Sequence, residues 1–274
     1  MKGKDRMSHK TLFLQQSYED CTRQYMELLE KQKMPLWDYV ILTASNESQA
    51  QSYRMQIQYR LDHGMLPKSI HYAVLPDPDG KRVGSGGATL NVLRYIYQDA
   101  GSFDDKRILV IHSGGDSKRV PQYSACGKLF SPVPRLLPNG RRSTLFDEFM
   151  ISMCGVAARI RAGMLVCSGD VLLLFNPLQI DFYGSGAAAL SIKEPAETGK
   201  NHGVYRVDDQ GNVGGFLHKK TVDQLHELQA VDENGNVDID TGAVIMDTDL
   251  LKALYKLVDT PEQFDAHVNE NTRL

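Results

Sequence analysis

Between residues 11 and 34 apolar side chains recur at three- and four-residue spacing (Leu14, Tyr18, Cys21, Tyr25, Leu28 and Leu29), a stripe that predicts a core-facing helix stopped at or before Pro35. The pattern then changes period. Tyr39–Val40–Ile41–Leu42 is a short continuous apolar run, the mark of a strand buried on both faces, and Thr43–Ala44–Ser45–Asn46 breaks it. A helix is predicted from Glu47 to Leu61 and a second strand over Ile70–Val74, ended by Pro76–Asp77–Pro78–Asp79–Gly80. The glycine stretch Gly84–Ser85–Gly86–Gly87 reads as a loop, with a helix from Ala88 to about Gln98. Arg107–Ile111 and Met164–Cys167 predict two more buried strands, and Ala187–Ile192 and Val204–Val207 two further ones, the last before a turn at Asp208–Asn212. Residues 248–274 read as a helix and a polar tail.

Strands alternating with helices predict an α/β fold with a mainly parallel sheet, and such sheets bind ligands beyond the carboxyl ends of their strands. The expected organisation is an N-terminal helical segment over 1–36, one domain over 37–250, and a C-terminal helix and tail over 251–274.

Composition narrows the function classes. Hydrophobic residues are 42% and charged residues 24% of 274 positions, ordinary for a globular chain able to build its own core. A formal net charge of −3 gives no basis for binding nucleic acid or an anionic membrane, so an anionic ligand must be held by local cations. No apolar run approaches a membrane span, and no signal peptide is evident. Cys21, Cys126, Cys154 and Cys167 form no CxxC pair, which argues against a zinc site. Free thiols without an export signal lead to the expectation of a cytoplasmic protein.

The candidate chemistry lies at the predicted strand ends. Gly84, Ser85, Gly86 and Gly87 precede a helix whose N-terminus would aim amide N–H groups at an anion or a base edge. A tight turn without a ligand accounts for them equally, and no Walker A spacing is present. With Thr43 and Ala44 at the end of the first strand, they are the natural place for a purine. The second loop, Ser113–Gly114–Gly115–Asp116–Ser117–Lys118–Arg119–Val120–Pro121, follows a buried strand and leads to Gly127–Lys128. A glycine pair with Arg119 and Lys128 suits phosphate, because a planar fork and a compact ammonium neutralise phosphate oxygens. Asp170, in Ser168–Gly169–Asp170, is a natural Mg²⁺ ligand or a turn cap, and Asp240 is a second carboxylate before Gly242. Asn201–His202–Gly203 and His218–Lys219–Lys220 offer donors and cations for a sugar phosphate, or are simply solvated.

Together these motifs resemble the L-fucose-1-phosphate guanylyltransferases, the GDP-fucose pyrophosphorylases, including the pyrophosphorylase half of the bifunctional fucokinases. The resemblance rests on Gly84–Thr89, on His112–Pro121 with Gly127–Lys128, and on Ser168–Val171. Trp37–Ala44, Pro76–Arg82 and Asn201–Val204 add to it, so that it runs from about residue 37 to 247. It implies a Rossmann-like nucleotidyltransferase fold, with a mainly parallel mixed sheet flanked by helices. It also implies the joining of GTP to L-fucose 1-phosphate, with release of pyrophosphate. In that reading Arg119 and Lys128 act on the triphosphate, and Gly114, Gly115, Asp116 and Ser117 bind the nucleotide with the first glycine loop. Asp170 and Asp240 hold Mg²⁺, and Asn201, His202, Gly203 and Lys219 bind the sugar phosphate. The same chemistry on another sugar or nucleotide, or a non-catalytic nucleotide-binding module, are the alternatives. Family members continue into a β-helical region and, when bifunctional, a kinase domain. This chain stops at Leu274 and lacks a kinase glycine loop, so a truncated chain and a short natural form are both expected possibilities.

Overall fold

The computed structural model describes residues 8–31, 36–113, 127–180, 182 and 185–269. The chain order is α1 (His9–Lys31), β1 (Tyr39–Ala44), α2 (Glu47–Asp62), β2 (His71–Pro76), α3 (Gly84–Ala100), β3 (Arg107–His112), β4 (Pro132–Leu136), β5 (Arg142–Thr144), α4 (Leu145–Met153) and β6 (Gly163–Ser168). It continues with β7 (Ala187–Pro195), α5 (Ala196–Gly199), β8 (Gly203–Val207), β9 (Val213–His218), α6 (Val222–Glu227), β10 (Asn236–Met246), α7 (Thr248–Tyr255) and α8 (Pro261–His267). Two compact units result: Met1–Ala187 with Ile245–Leu274, and Ala188–Val244.

The larger unit is built on parallel strands in the order β2-β1-β3-β6. All six residues of β1 are buried, as are Ile108–His112 of β3, which is why these segments are continuously apolar rather than alternating. α3 covers the sheet with Leu90, Val92, Leu93 and Ile96, and Gly101 in the left-handed conformation ends it. The smaller unit is antiparallel. β8 pairs with β9 and β10, and β7 also pairs with β10. Val204, Val237 and Ile239 meet Ala196 of α5 and Leu225 of α6 in a core of their own. The class is therefore α/β with mixed strand pairing, as expected.

Three sequence expectations change. Gly84–Gly87 is the first turn of α3 rather than a loop before it. Gly84 enters with a φ of +71°, and burial of Gly87 and Ala88 against the core overrides glycine's poor helix propensity. The second strand lies at His71–Pro76, shifted towards the proline that ends it. The expected C-terminal helix and tail contains two helices, because Thr260 forms a capping box with Gln263, and Leu251, Val258 and Val268 join the larger core.

One buried ion pair ties α2 to α4. Arg60 donates from Nε to Asp147 Oδ1 at 2.7 Å and from Nη2 to Asp147 Oδ2 at 3.0 Å, with side chains 5% and 7% exposed. Nη1 reaches the Gln56 side chain at 2.9 Å, and Asp147 also accepts from the Thr144 N–H and hydroxyl at the α4 N-terminus. The guanidinium lies 5.0 Å from the centre of the Phe130 ring, on the short 3₁₀ turn Lys128–Phe130. A second network joins α1 to the same helix: Glu148 accepts from Tyr18, Arg135 and Ser143.

Arg60→Met removes the cation and leaves a buried carboxylate short of partners, so urea unfolding should show a loss of about 3–5 kcal/mol. A loss under about 1 kcal/mol, the scale of exposed pairs, would contradict a structural role for the pair.

Candidate active site

Parallel strands deliver their carboxyl ends to one edge. There β1 ends at Thr43–Ala44, β3 at His112 and β6 at Ser168, with His112 in register with Ser168. Buried polar groups at strand ends need partners, and at this edge they find each other. Thr43 Oγ1 lies 3.1 Å from His112 Nδ1, and Thr89 Oγ1 lies 3.0 Å from His112 Nε2. Thr89 also donates to the Ser85 carbonyl at 2.9 Å, and the Ser113 N–H donates to Thr43 Oγ1 at 3.2 Å. The Gly169 N–H donates to the His112 carbonyl at 2.8 Å, and a Cβ on Gly169 would lie 2.5 Å from that oxygen, so only glycine fits there. The α3 first turn, the end of β1 and the β6 turn are thus assembled at one place. Gly84–Gly87 lie at a helix start, whose first N–H groups have no intrahelical acceptor.

Lys128 and Asp170 meet at the same edge: Lys128 Nζ donates to Asp170 Oδ2 at 3.2 Å, and the Ser168 hydroxyl donates to Asp170 Oδ1 at 2.8 Å. Burial raises the carboxyl's affinity for a proton, but the Ser168 bond and the Lys128 charge outweigh it and hold Asp170 below the usual carboxylate range. The lysine is placed by its turn. Gly127 has a φ of +68°, and a Cβ there would come within 2.0 Å of the Tyr53 hydroxyl, while Phe130 packs on Tyr53 and Phe146 with ring centres 5.1 Å away in each case. Gly114, Gly115, Asp116, Ser117 and Arg119 lie outside the described residues.

Within the smaller unit the hairpin brings the sugar-phosphate candidates together. The Lys219 N–H donates to the His202 carbonyl at 3.0 Å, and Gly203 pairs with His218. Asn201, His202 and Lys219 are exposed, and Lys219 holds a positive φ of 49°. The register of Ile239 with Val204 carries Asp240 opposite Gly203. Asp240 Oδ1 accepts from the Tyr205 hydroxyl and from the Gly242 N–H, each at 2.8 Å. Tyr205, beside Phe216 with ring centres 5.4 Å apart, has its hydroxyl pushed well above the usual range by burial and then by Asp240.

A magnesium ion takes oxygen ligands, commonly one or two carboxylates plus substrate phosphates. Asp170 is ionised, and Asp240 leaves Oδ2 without a hydrogen bond among the described residues, so each has the donor chemistry. Asp170 belongs to the larger unit and Asp240 to the smaller. No group of three or more His, Cys, Asp or Glu side chains suited to a metal occurs among the described residues. Cys21, Cys154 and Cys167 are buried free thiols, and burial pushes Cys154 and Cys167 up to about 12, which leaves them inert. Cys126 lies outside the described residues. No helix among them is long and apolar enough to cross a membrane.

The roles of His112, Thr89 and Tyr205 lie outside the expectations from sequence. A polar residue closing a fully apolar strand was a signal for His112. Its partners, 69 and 23 residues away, were not readable.

A family model described as the fucose pyrophosphorylase domain matches residues 100–273. The chain is 31% identical over 248 residues to a bifunctional fucokinase/GDP-fucose pyrophosphorylase of Arabidopsis thaliana, covering 77% of this chain and 23% of that relative. It is 32% identical over 210 residues to a fucose-1-phosphate guanylyltransferase of Mus musculus, covering 71% and 35%. To a fucose-1-phosphate guanylyltransferase of Homo sapiens it is 29% identical over 243 residues, covering 81% and 39%. The chain thus spans well under half the length of these relatives. The family match takes in more than half of the chain, including Lys128 and Asp170 at the strand edge and the hairpin with Asp240, and the chain belongs to the fucose pyrophosphorylase family.

Proposed function

We propose that the chain is a nucleotidyltransferase that joins GTP to L-fucose 1-phosphate, giving GDP-L-fucose and pyrophosphate. The observation that carries the reading is the Lys128–Asp170 pair, brought to 3.2 Å across 42 residues of sequence at the carboxyl edge of parallel strands. The first-turn glycines of α3 are tied to the same edge through Thr89 and His112. Family membership supports the sugar and the nucleotide.

In the reaction a phosphate oxygen of fucose 1-phosphate attacks the α-phosphorus of GTP in line. A P–O bond forms there, the bond to the bridging oxygen of the β-phosphate breaks, and pyrophosphate leaves with that electron pair. The attacking monoester has a second pKa of about 6, so it is largely dianionic at neutral pH and needs no general base. The protein's task is positioning and charge stabilisation. Lys128 moves from Asp170 to the triphosphate oxygens, and Arg119 adds a planar fork beside Gly114–Ser117. Gly84–Gly87 with Thr43 and Ala44 hold the nucleotide against the main chain. Asn201, His202, Gly203 and Lys219 bind the sugar phosphate. Asp170 in the larger unit and Asp240 in the smaller each have the carboxylate chemistry to hold Mg²⁺, which would supply charge neutralisation on the phosphates when bound. Buried thiols fit a reducing compartment such as the cytoplasm.

The direct test is pyrophosphate release with GTP, ATP or UTP against a panel of sugar 1-phosphates. Turnover is expected only, or by far fastest, with GTP and fucose 1-phosphate. Faster turnover with another pair would reassign the substrates, and no turnover with any pair would remove the catalytic reading. Lys128→Ala should lower kcat by roughly a hundredfold or more, the scale for one preorganised charge-stabilising group. Wild-type turnover would exclude Lys128. Asp170→Asn should raise the Mg²⁺ concentration needed for half-maximal rate, and an unchanged metal dependence would exclude Asp170 as a ligand. Lys219→Ala should raise KM for fucose 1-phosphate more than KM for GTP, and equal effects would place Lys219 elsewhere.

A further inference from the structure

His112 is buried, only 9% exposed, and both ring nitrogens and its carbonyl have hydrogen-bond partners. Donor accounting fixes the direction of the chain. The single hydrogen of the Thr89 hydroxyl goes to the Ser85 carbonyl at 2.9 Å, so at 3.0 Å Thr89 must accept from an Nε2–H. His112 is then the Nε2–H tautomer, and its Nδ1 is an acceptor. Thr43 accepts from the Ser113 N–H at 3.2 Å and passes its own hydrogen to Nδ1 at 3.1 Å. The result is one polarised run: Ser113 N–H to Thr43, Thr43 to His112, His112 to Thr89, Thr89 to the Ser85 carbonyl. The His112 carbonyl accepts from Gly169 N–H at 2.8 Å, on the turn that carries Asp170.

The imidazole therefore does what no local interaction could. Residues 43, 85, 113 and 169 lie in four separate segments, and one ring with its own peptide fixes them relative to each other. Apolar packing alone would leave these loops free to slide by fractions of an ångström. Two hydrogen bonds of defined direction on a flat ring do not. Burial pushes His112 down to about 4, so the ring stays neutral and the run intact at ordinary pH.

We propose that His112 is a positioning residue: through Thr43 and Thr89 it holds the end of β1 and the first turn of α3 in the relative placement that nucleotide binding requires. This rests on the nucleotide reading of that edge given above. His112 does not itself touch the ligand in this scheme. Its effect is transmitted through two threonine hydroxyls.

The test is calorimetric titration of GTP with Mg²⁺ into the full chain, alongside thermal unfolding and steady-state kinetics. His112→Phe keeps an aromatic ring of similar size and removes both bonds. It should weaken GTP binding about tenfold, the coupling expected of neighbours in one hydrogen-bonded network, while KM for fucose 1-phosphate moves by less than about twofold. Thr89→Val should weaken GTP binding and Thr89→Ser, which keeps the hydroxyl, should restore it. The double variant His112→Phe/Thr89→Val should bind no worse than His112→Phe alone. A lowered Tm with unchanged GTP affinity in His112→Phe and in Thr89→Val would overturn the proposal and leave a merely structural histidine. If His112→Phe does not fold, equal GTP affinity of Thr89→Val and Thr89→Ser is the overturning result. A wild-type chain that binds no GTP would instead remove the nucleotide reading and, with it, this inference.

Discussion

A buried parallel strand that ends in a polar residue must satisfy that residue from neighbouring strands, and this constraint organises the larger unit. β3 runs between β1 and β6 with four consecutive residues, Ile108–Ile111, completely out of water, and then presents His112. An imidazole there without partners would cost several kcal/mol in desolvation. The partners come from Thr43 on β1 and Thr89 on α3, and the backbone of the same residue holds Gly169. The carboxyl edge proposed to take the ligand is thereby an edge where strand ends and loops are tied by hydrogen bonds.

A second layer of support reaches the site from the side. Arg60 on α2 is locked to Asp147 at the start of α4, and its guanidinium lies over the Phe130 ring. Phe130 is two residues from Lys128, and Gly127 before it fits only because it lacks a side chain against Tyr53. The Lys128 ammonium, proposed to act on phosphate, is thus mounted on a short turn held by aromatic packing. It rests on Asp170 at 3.2 Å. The smaller unit repeats the principle with antiparallel strands: β8 and β10 set Asp240 opposite Gly203, and Tyr205 orients its carboxylate.

Much of the fold was legible in the sequence, because continuous apolar runs such as Tyr39–Leu42 and Ile108–Ile111 are too short for a core helix and suit a strand covered on both faces. Less regular segments were not. β4 and β5 are short and half exposed, β9 runs through two glycines, and α8 depends on a capping box and two buried valines rather than on a stripe. The glycine stretch misled because local propensity argues against helix there, while packing of Gly87 and Ala88 decides for it. At the candidate site, residue types could be read, and so could their location at strand ends. Pairings could not: nothing in the chain announces that Lys128 meets Asp170, that Tyr205 meets Asp240, or that Thr43 and Thr89 share one histidine. These are consequences of strand register and of how turns and helices pack on the sheet, and they appear only when the elements are laid side by side.

The proposed nucleotide site of this fucose pyrophosphorylase family member is the carboxyl edge of β1, β3 and β6 together with the first turn of α3. Hydrogen–deuterium exchange with and without GTP and Mg²⁺ tests it at peptide resolution. Slowed exchange is expected in peptides spanning Thr43–Ser45, Gly84–Thr89 and Ser168–Asp170, with little change in the helix α8. Unchanged exchange in all three segments at saturating GTP, with protection appearing elsewhere in the chain, would contradict it.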